Sequence, residues 1–556
     1  MVLIPRILGS VLAAGLLSAA VAAQLPRHHE TLGTAAGDEF GHGLAGIGDV
    51  DGDGIPDFAV GGRYADFSFV DAGRVSVFSG ATGAFLYAVD GDGAGDTLGF
   101  VVSGLGDVDL DGVPDWAAGA PRADAPGKLN CGAVKVVSGA TGAVLYTLHG
   151  AVAGDEFGTG VSGVDDLDLD GVPDLLVGAP FADGLTTLTG EVRAFSGATG
   201  AFLFVLPGVD FGSGFGYDVT GLGDLNADGY PEIGVGIPVA SPGGLTSAGE
   251  VRIYSGIDAT LFRTHAGSAA GDQLGRSVAD AGDLDGDGTR DLVTGAMRAD
   301  PNGDSSGLVR TYSGATGALM IEVKGDADSD QLGWSVDAAG DVNGDGQLDF
   351  VAGARFSDVG GFDSGYVRVY SGDDGAILLN YEGMQGDNLG WAVSRLGDVN
   401  DDGFDDVLVG ARYSATAAYN SGAALVIAAT GARPYGDDPL GTQTLALEWD
   451  HGIAGQMTQG GVYISGALPY TAGVAVLSDS PWQSQTAGIE LLVDITPGHF
   501  ISGNFGFDAS GLFLIPVNLA QPTLAGLVFH LQAFAADGTA PFGIVSSNAL
   551  ELLFID

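Results

Sequence analysis

Short apolar runs alternate with clusters of Gly, Asp, Ser and Thr along most of this chain. Runs such as DFAVGG (57–62), DLLVGAP (174–180) and DVLVGAR (406–412) are rich in β-branched residues and close on glycine, the pattern of short strands. Between residues 99 and 148 the pattern predicts four strands: Gly99–Gly106, Trp116–Gly119, Ala133–Ser138 and, after the turn SGATG (138–142), Val144–Leu148. No stretch sustains a helical period between caps. The same four-strand pattern returns along the chain, so the predicted class is all-β.

The repeat is marked by an acidic nonapeptide, DVDGDGIPD at 49–57. Its further copies begin at Asp107, Asp166, Asp224, Asp283, Asp341 and Asp398, a spacing of 57 to 59 residues. A fixed period of this size marks units that cannot bury their apolar faces alone. Four antiparallel strands per unit, seven times over, predict a seven-bladed β-propeller.

Oxygen donors stand at fixed places in each copy. Position one is Asp49, Asp107, Asp166, Asp224, Asp283, Asp341 and Asp398. Position three is Asp51, Asp109, Asp168, Asn226, Asp285, Asn343 and Asn400. Position five is Asp53, Asp111, Asp170, Asp228, Asp287, Asp345 and Asp402. Position nine is Asp57, Asp115, Asp174, Glu232, Asp291, Asp349 and Asp406. A glycine at position six provides the sharp turn that lets the main-chain carbonyl of position seven face the same centre: Ile55, Val113, Val172, Tyr230, Thr289, Gln347 and Phe404. An all-oxygen donor set without imidazole or thiolate selects a hard cation, calcium, up to seven ions at one per blade. Each loop runs into a strand rather than a helix, and position twelve of the first copy is Val60, so the loops are not EF-hands. The fourth, sixth and seventh loops, with Asn226, Asn343 and Asn400, carry less charge and should bind more weakly.

Arg6, the apolar run 7–20 and the small residues Val21, Ala22 and Ala23 read as a secretory signal over 1–23, so a secreted or cell-surface protein is expected, with no membrane insertion once the signal is removed. The single cysteine, Cys131, permits no intrachain disulfide. Glycine makes up 97 of 556 residues and recurs with the repeat, which indicates turns between strands. The net charge of −51 disfavours nucleic acid and anionic membranes as partners.

Flanking each loop, an FG element appears as Phe40-Gly41, Phe157-Gly158 and Phe215-Gly216, and as Leu-Gly at Leu98, Leu274, Leu332 and Leu389. A GAP element is literal at Gly119-Ala120-Pro121 and Gly178-Ala179-Pro180, and becomes GIP at Gly236, GAM at Gly295, GAR at Gly353 and Gly410, and GGR at Gly61. In this order the motifs resemble the FG-GAP repeats of the integrin α-subunit propeller, over about residues 24–433. The resemblance implies seven blades, with calcium loops joining the first and second strands of each. It departs in one respect: all seven blades keep the ligand positions, whereas integrin propellers keep them in only some.

Asp38, Asp96, Asp155, Asp272, Asp330 and Asp387 precede the FG glycine by three residues and read as turn-fixing side chains. Arg63/Asp66, Arg122/Asp124, Arg298/Asp300 and Arg355/Asp358 come after the second strand and read as loop ion pairs or solvated charges, or else as the lining of a ligand surface. GHGLAG (41–46) and GTGVSG (158–163) match a dinucleotide-binding string but open strands, so they carry no such function. Residues 28–41 align without a gap on 145–158, which makes 27–32 the strand that should close blade seven against the strand at 423–428. After a linker at 434–441, residues 442–556 contain no Lys or Arg and predict a C-terminal β-sandwich-like domain. The leading functional reading is a non-catalytic adhesion or ligand-binding protein with an extracellular protein or glycan ligand. The alternatives are a hydrolase or lyase using the central face, or a structural envelope or matrix component.

Overall fold

The computed structural model describes residues 27–429 continuously and, beyond them, only short strand segments between Thr444 and Leu553. The expected signal at 1–23, the linker and the C-terminal β-sandwich-like domain fall outside the continuously described residues.

Residues 27–429 form seven four-stranded antiparallel sheets. In blade one the strands are Phe40–Gly48, Asp57–Gly62, Arg74–Phe78 and Phe85–Asp90, paired in chain order. The other blades repeat this order, and the first strands of successive blades lie side by side around a common axis. A single 3-10 turn at Pro242–Gly244 is the only helical element among the described residues.

Position within the blade explains the composition of each strand. The second strand is covered on both faces by neighbouring blades, so DFAVGG, DWAAGA and DLLVGA are buried throughout and need not alternate. The fourth strand is outermost and largely exposed or half-buried, as in Val144–His149. The core therefore lies between blades. Ile47, Ala59, Val75 and Val77 of blade one pack with Leu98, Val102, Trp116 and Val137 of blade two. Each fully buried Val, Leu or Phe in such a seam contributes about 1.5–3 kcal/mol.

The FG motif is the seam's fastener. Leu98, Phe157, Phe215, Leu274, Leu332 and Leu389 each form a parallel bridge to a glycine of the preceding blade, at Gly73, Gly132, Gly190, Gly249, Gly307 and Gly365. Phe40 makes the equivalent bridge to Gly422 and joins blade one to blade seven. A Cβ at Gly422 would stand 2.0 Å from the Phe40 carbonyl oxygen, so only glycine allows this approach.

Blade seven takes its outer strand from the beginning of the described chain. Arg27–Leu32 runs antiparallel to Ala423–Ile427, with Thr31 opposite Ala424 and Leu32 opposite Ala423. Phe40, Leu44 and Phe58 then pack with Leu396, Leu408 and Val426 across the junction.

Candidate functional site

Each acidic loop is organised by its own carboxylates. The position-one oxygen Oδ2 accepts the N–H of the position-six glycine in all seven blades, at 2.7 to 2.9 Å. The position-five carboxylate accepts the N–H of position seven, as Asp53 does from Ile55 at 2.9 Å. Position-six glycines lie in the left-handed region, with φ of 91° at Gly54 and Gly112. Position four lies there as well, and the sequence did not signal it. Gly52, Gly286 and Gly344 meet that need without strain, whereas Leu110, Leu169, Ala227 and Asp401 adopt φ of 58° to 62° with side chains attached.

The position-nine acid is buried in every blade: Asp57, Asp115, Asp174, Glu232, Asp291, Asp349 and Asp406 are all 0% exposed. One oxygen accepts the N–H of position two, for example Val50 to Asp57 at 2.8 Å. In the six blades with aspartate, the other accepts an N–H from just past the third strand, such as Gly80, Gly139 or Ala429. In blade four, Asn226 Nδ2 donates to the longer Glu232 side chain at 2.6 Å. Burial, offset in part by these bonds and reinforced by nearby loop acids, raises the pKa of Asp57, Asp174 and Asp291 to about 6 and of Glu232, Asp349 and Asp406 to about 7.

Carboxylate oxygens converge to within 4.8 Å in four loops: Asp107, Asp109 and Asp115; Asp166, Asp168 and Asp174; Asp283, Asp285 and Asp291; and Asp49, Asp51 and Asp53. Blades four, six and seven, with asparagine at position three, bring no such trio of acids together among the described residues. A converging set of hard oxygens next to a buried acid is compatible with a divalent cation.

The opposite ends of the first and second strands converge on the other mouth of the axis. There the residue after each FG or LG pair and the residue at the end of the GAP element meet. Arg276 lies over Tyr217 and Trp334, at 4.6 and 3.8 Å from the ring centroids. Arg355 lies over Trp334 and Trp391 at 3.1 and 4.6 Å, and Arg412 over Trp391 at 3.4 Å. Trp334 and Trp391 are 4.8 Å apart, and His42 stands between Trp391 and Phe100 at 5.4 and 4.8 Å. Glu39 accepts from Arg63 at 2.9 Å and stands 3.7 Å from Arg412.

The loop ion pairs expected after the second strand are not the ones that form. Arg63 pairs with Glu39, not Asp66, and Arg355 donates to Gln331 Oε1, not to Asp358. The aspartates instead cap their own loops: Asp66, Asp124, Asp300 and Asp358 accept the N–H groups of Asp71, Asn130, Ser305 and Asp363. A backbone N–H a few residues away is a better-placed partner than a long, flexible guanidinium. The aspartates before the FG glycine do fix turns, as Asp38 does from Ala35 N and Asp96 from Gly93 N.

Known proteins share the same motifs. The FG-GAP repeat family matches residues 157–198, 275–312 and 332–370. Integrin alpha-5 of Xenopus laevis is 30% identical over 214 residues, 35% of this chain and 19% of that protein. Integrin alpha-V of Gallus gallus is 32% identical over 218 residues, 36% and 20% of the two chains. Integrin alpha-4 of Xenopus laevis is 30% identical over 292 residues, 50% of this chain and 26% of the relative. The matches thus span about a fifth to a quarter of the relatives' length. Among solved structures, BBS1N in complex with ARL6DN is matched over 73% of this chain and 98% of that one at 11% identity and a TM-score of 0.45, a likeness too distant to bear on function. Repeats that match the FG-GAP family, integrin alpha relatives and seven blades closed into a ring together make residues 27–429 an FG-GAP propeller of the integrin alpha type.

Proposed function

We propose that this propeller is a secreted, non-catalytic adhesion or ligand-binding module whose blades are stabilised by calcium. The observation that carries the reading is the division of labour between its two ends. Every blade presents an oxygen-lined loop at one end, while the other end gathers cationic and aromatic side chains contributed by several blades. The integrin alpha likeness supports a ligand-binding role and an extracellular setting.

Positions one, three, five and nine, with the position-seven carbonyl, would hold the ion in each loop. Calcium supplies positive charge where 25 carboxylates stand at ligand positions. Two carboxylates about 4 Å apart repel by about 4 kcal/mol at an effective dielectric near 20, and a bound cation removes that cost. Extracellular calcium modules bind at about 10⁻⁴ to 10⁻³ M, and a concentration 100 times the dissociation constant stabilises by about 2.7 kcal/mol per site.

The test is calorimetric titration of calcium into chelator-treated protein, combined with adhesion of coated beads to immobilised extracellular matrix proteins with and without calcium. Saturable calcium uptake together with calcium-dependent adhesion is expected. Folded protein that takes up no calcium, or beads that adhere to nothing, would overturn the corresponding half of the reading.

A further inference from the structure

We propose that the mouth opposite the acidic loops is an anion site that receives a carboxylate side chain from an acidic, partly apolar peptide segment of a protein ligand. This deepens the ligand-binding reading and rests on it.

Four of the chain's 20 basic residues, Arg63, Arg276, Arg355 and Arg412, are brought together here by a protein whose net charge is −51. The acids facing them are fewer. Glu39 serves Arg63 and Arg412, while Asp218, near Arg276, is committed to the N–H groups of Val278 and Val219. Arg355 has only the neutral Gln331 as a side-chain hydrogen-bond acceptor, and burial together with the charges of Arg276 and Arg412 lowers its pKa. Arg355 lies over Trp334 and Trp391, and a guanidinium held against rings can still present in-plane N–H groups to an oxyanion, the geometry in which arginine binds carboxylates.

A second observation points the same way. Arg412 is 6% exposed, yet its Nε–H has no hydrogen-bond partner. Buried polar atoms without partners are costly, and an incoming acceptor is one way to satisfy a buried donor. Tyr217, Trp334 and Trp391 stand half-buried beside these arginines. Ring surface interleaved with cationic groups suits a polypeptide with an acidic residue among apolar neighbours better than an acidic polysaccharide.

The experiment titrates the full chain, calcium present, with the acetylated and amidated pentapeptide Leu-Glu-Leu-Glu-Leu, its glutamine counterpart and oligogalacturonate. Binding is read by tryptophan emission and calorimetry. The glutamate peptide should bind saturably below ~1 mM, at least tenfold more tightly than the glutamine peptide. Arg355→Gln should weaken it tenfold or more at an unchanged melting temperature, whereas Arg74→Gln, in an outer ion pair with Asp90, should not. If Arg355→Gln fails to fold, Arg276→Gln takes its place. Equal binding of the two peptides, no binding at all, or both arginine variants behaving as the unmodified chain would overturn the inference. So would a preference for oligogalacturonate. Bead adhesion that survives Arg355→Gln defeats this inference alone. Peptide binding lost in that variant, in a protein whose beads adhere to nothing, defeats the adhesion reading and leaves the anion site standing.

Discussion

Asp57 accepts the backbone N–H of Gly80 at 2.9 Å, and so ties the loop after the first strand of blade one to the turn after its third strand. With Val50 N on its other oxygen at 2.8 Å, this carboxylate braces the blade as well as facing the candidate cation. Asp57→Asn can replace only one of the two acceptors and presents an amide N–H₂ to a donor. The backbone N–H left without an acceptor stays buried, so a loss of about 1–3 kcal/mol is expected. Denaturant melts in chelator, where calcium plays no part, check it; an unchanged midpoint would show that the brace is dispensable.

Asp53 contributes to one loop only. Asp53→Ala should lower calorimetric calcium stoichiometry by one site and leave the other blades' isotherm intact. The loops with Asn226, Asn343 and Asn400 should fill last. A variant that abolishes all binding would mean that the sites are not independent.

The position-nine acids make stability pH-dependent, with a definite sign. Their folded-state pKa values of about 6 to 7 lie above the ordinary carboxylate value of about 4. Between those limits the folded state holds more protons than the unfolded one, so metal-free stability is greatest at the acid end of the window and falls as pH rises through it. A calcium ion bound in these loops would offset the cost of ionisation, and its stabilising increment would grow over the same range. In chelator, the melting temperature should be higher at about pH 5 than at about pH 7.5, and the calcium-induced rise larger at about pH 7.5. The reverse order in either comparison would contradict the burial of these acids.

Leu110 and Gly112 test the backbone of one loop. Leu110 is 70% exposed with φ of 62°, a conformation that costs an L-residue about 1–2 kcal/mol. Leu110→Gly relieves that strain but adds about 0.5–1 kcal/mol of unfolded-state entropy, for a net gain of about 0.5 kcal/mol. Gly112, at φ of 91°, has no such freedom to change, and Gly112→Ala should cost about 1–2 kcal/mol. Thermal melts of the two variants should move in opposite directions.

The blades were legible because their signals are local and repeated. The nonapeptide and the FG or LG pair each sit within a few residues, and seven copies separate pattern from chance. The arginine-aromatic mouth was not legible as a unit, because Arg63, Arg276, Arg355 and Arg412 come from four blades and are adjacent only once the ring closes. A signal existed nonetheless. Reading the residue after each FG or LG in turn gives His42, Phe100, Thr159, Tyr217, Arg276, Trp334 and Trp391, a column of rings and charge where the core would need neither. The left-handed φ at Leu110, Leu169 and Ala227 left no trace in composition, since loop geometry overrides residue preference there.

The pairing of Arg27–Leu32 with Ala423–Ile427 also dictates an order of events during synthesis. A strand made first must wait, unpaired, until nearly the whole propeller has left the ribosome. Closing so long a loop carries an entropic cost before any contact rewards it. Polar and charged side chains such as His29 and Glu30 suit a segment that must stay solvated through that wait. The seam between the last blade and the first should therefore be the last to form, and the first to part when the two ends of the ring are pulled.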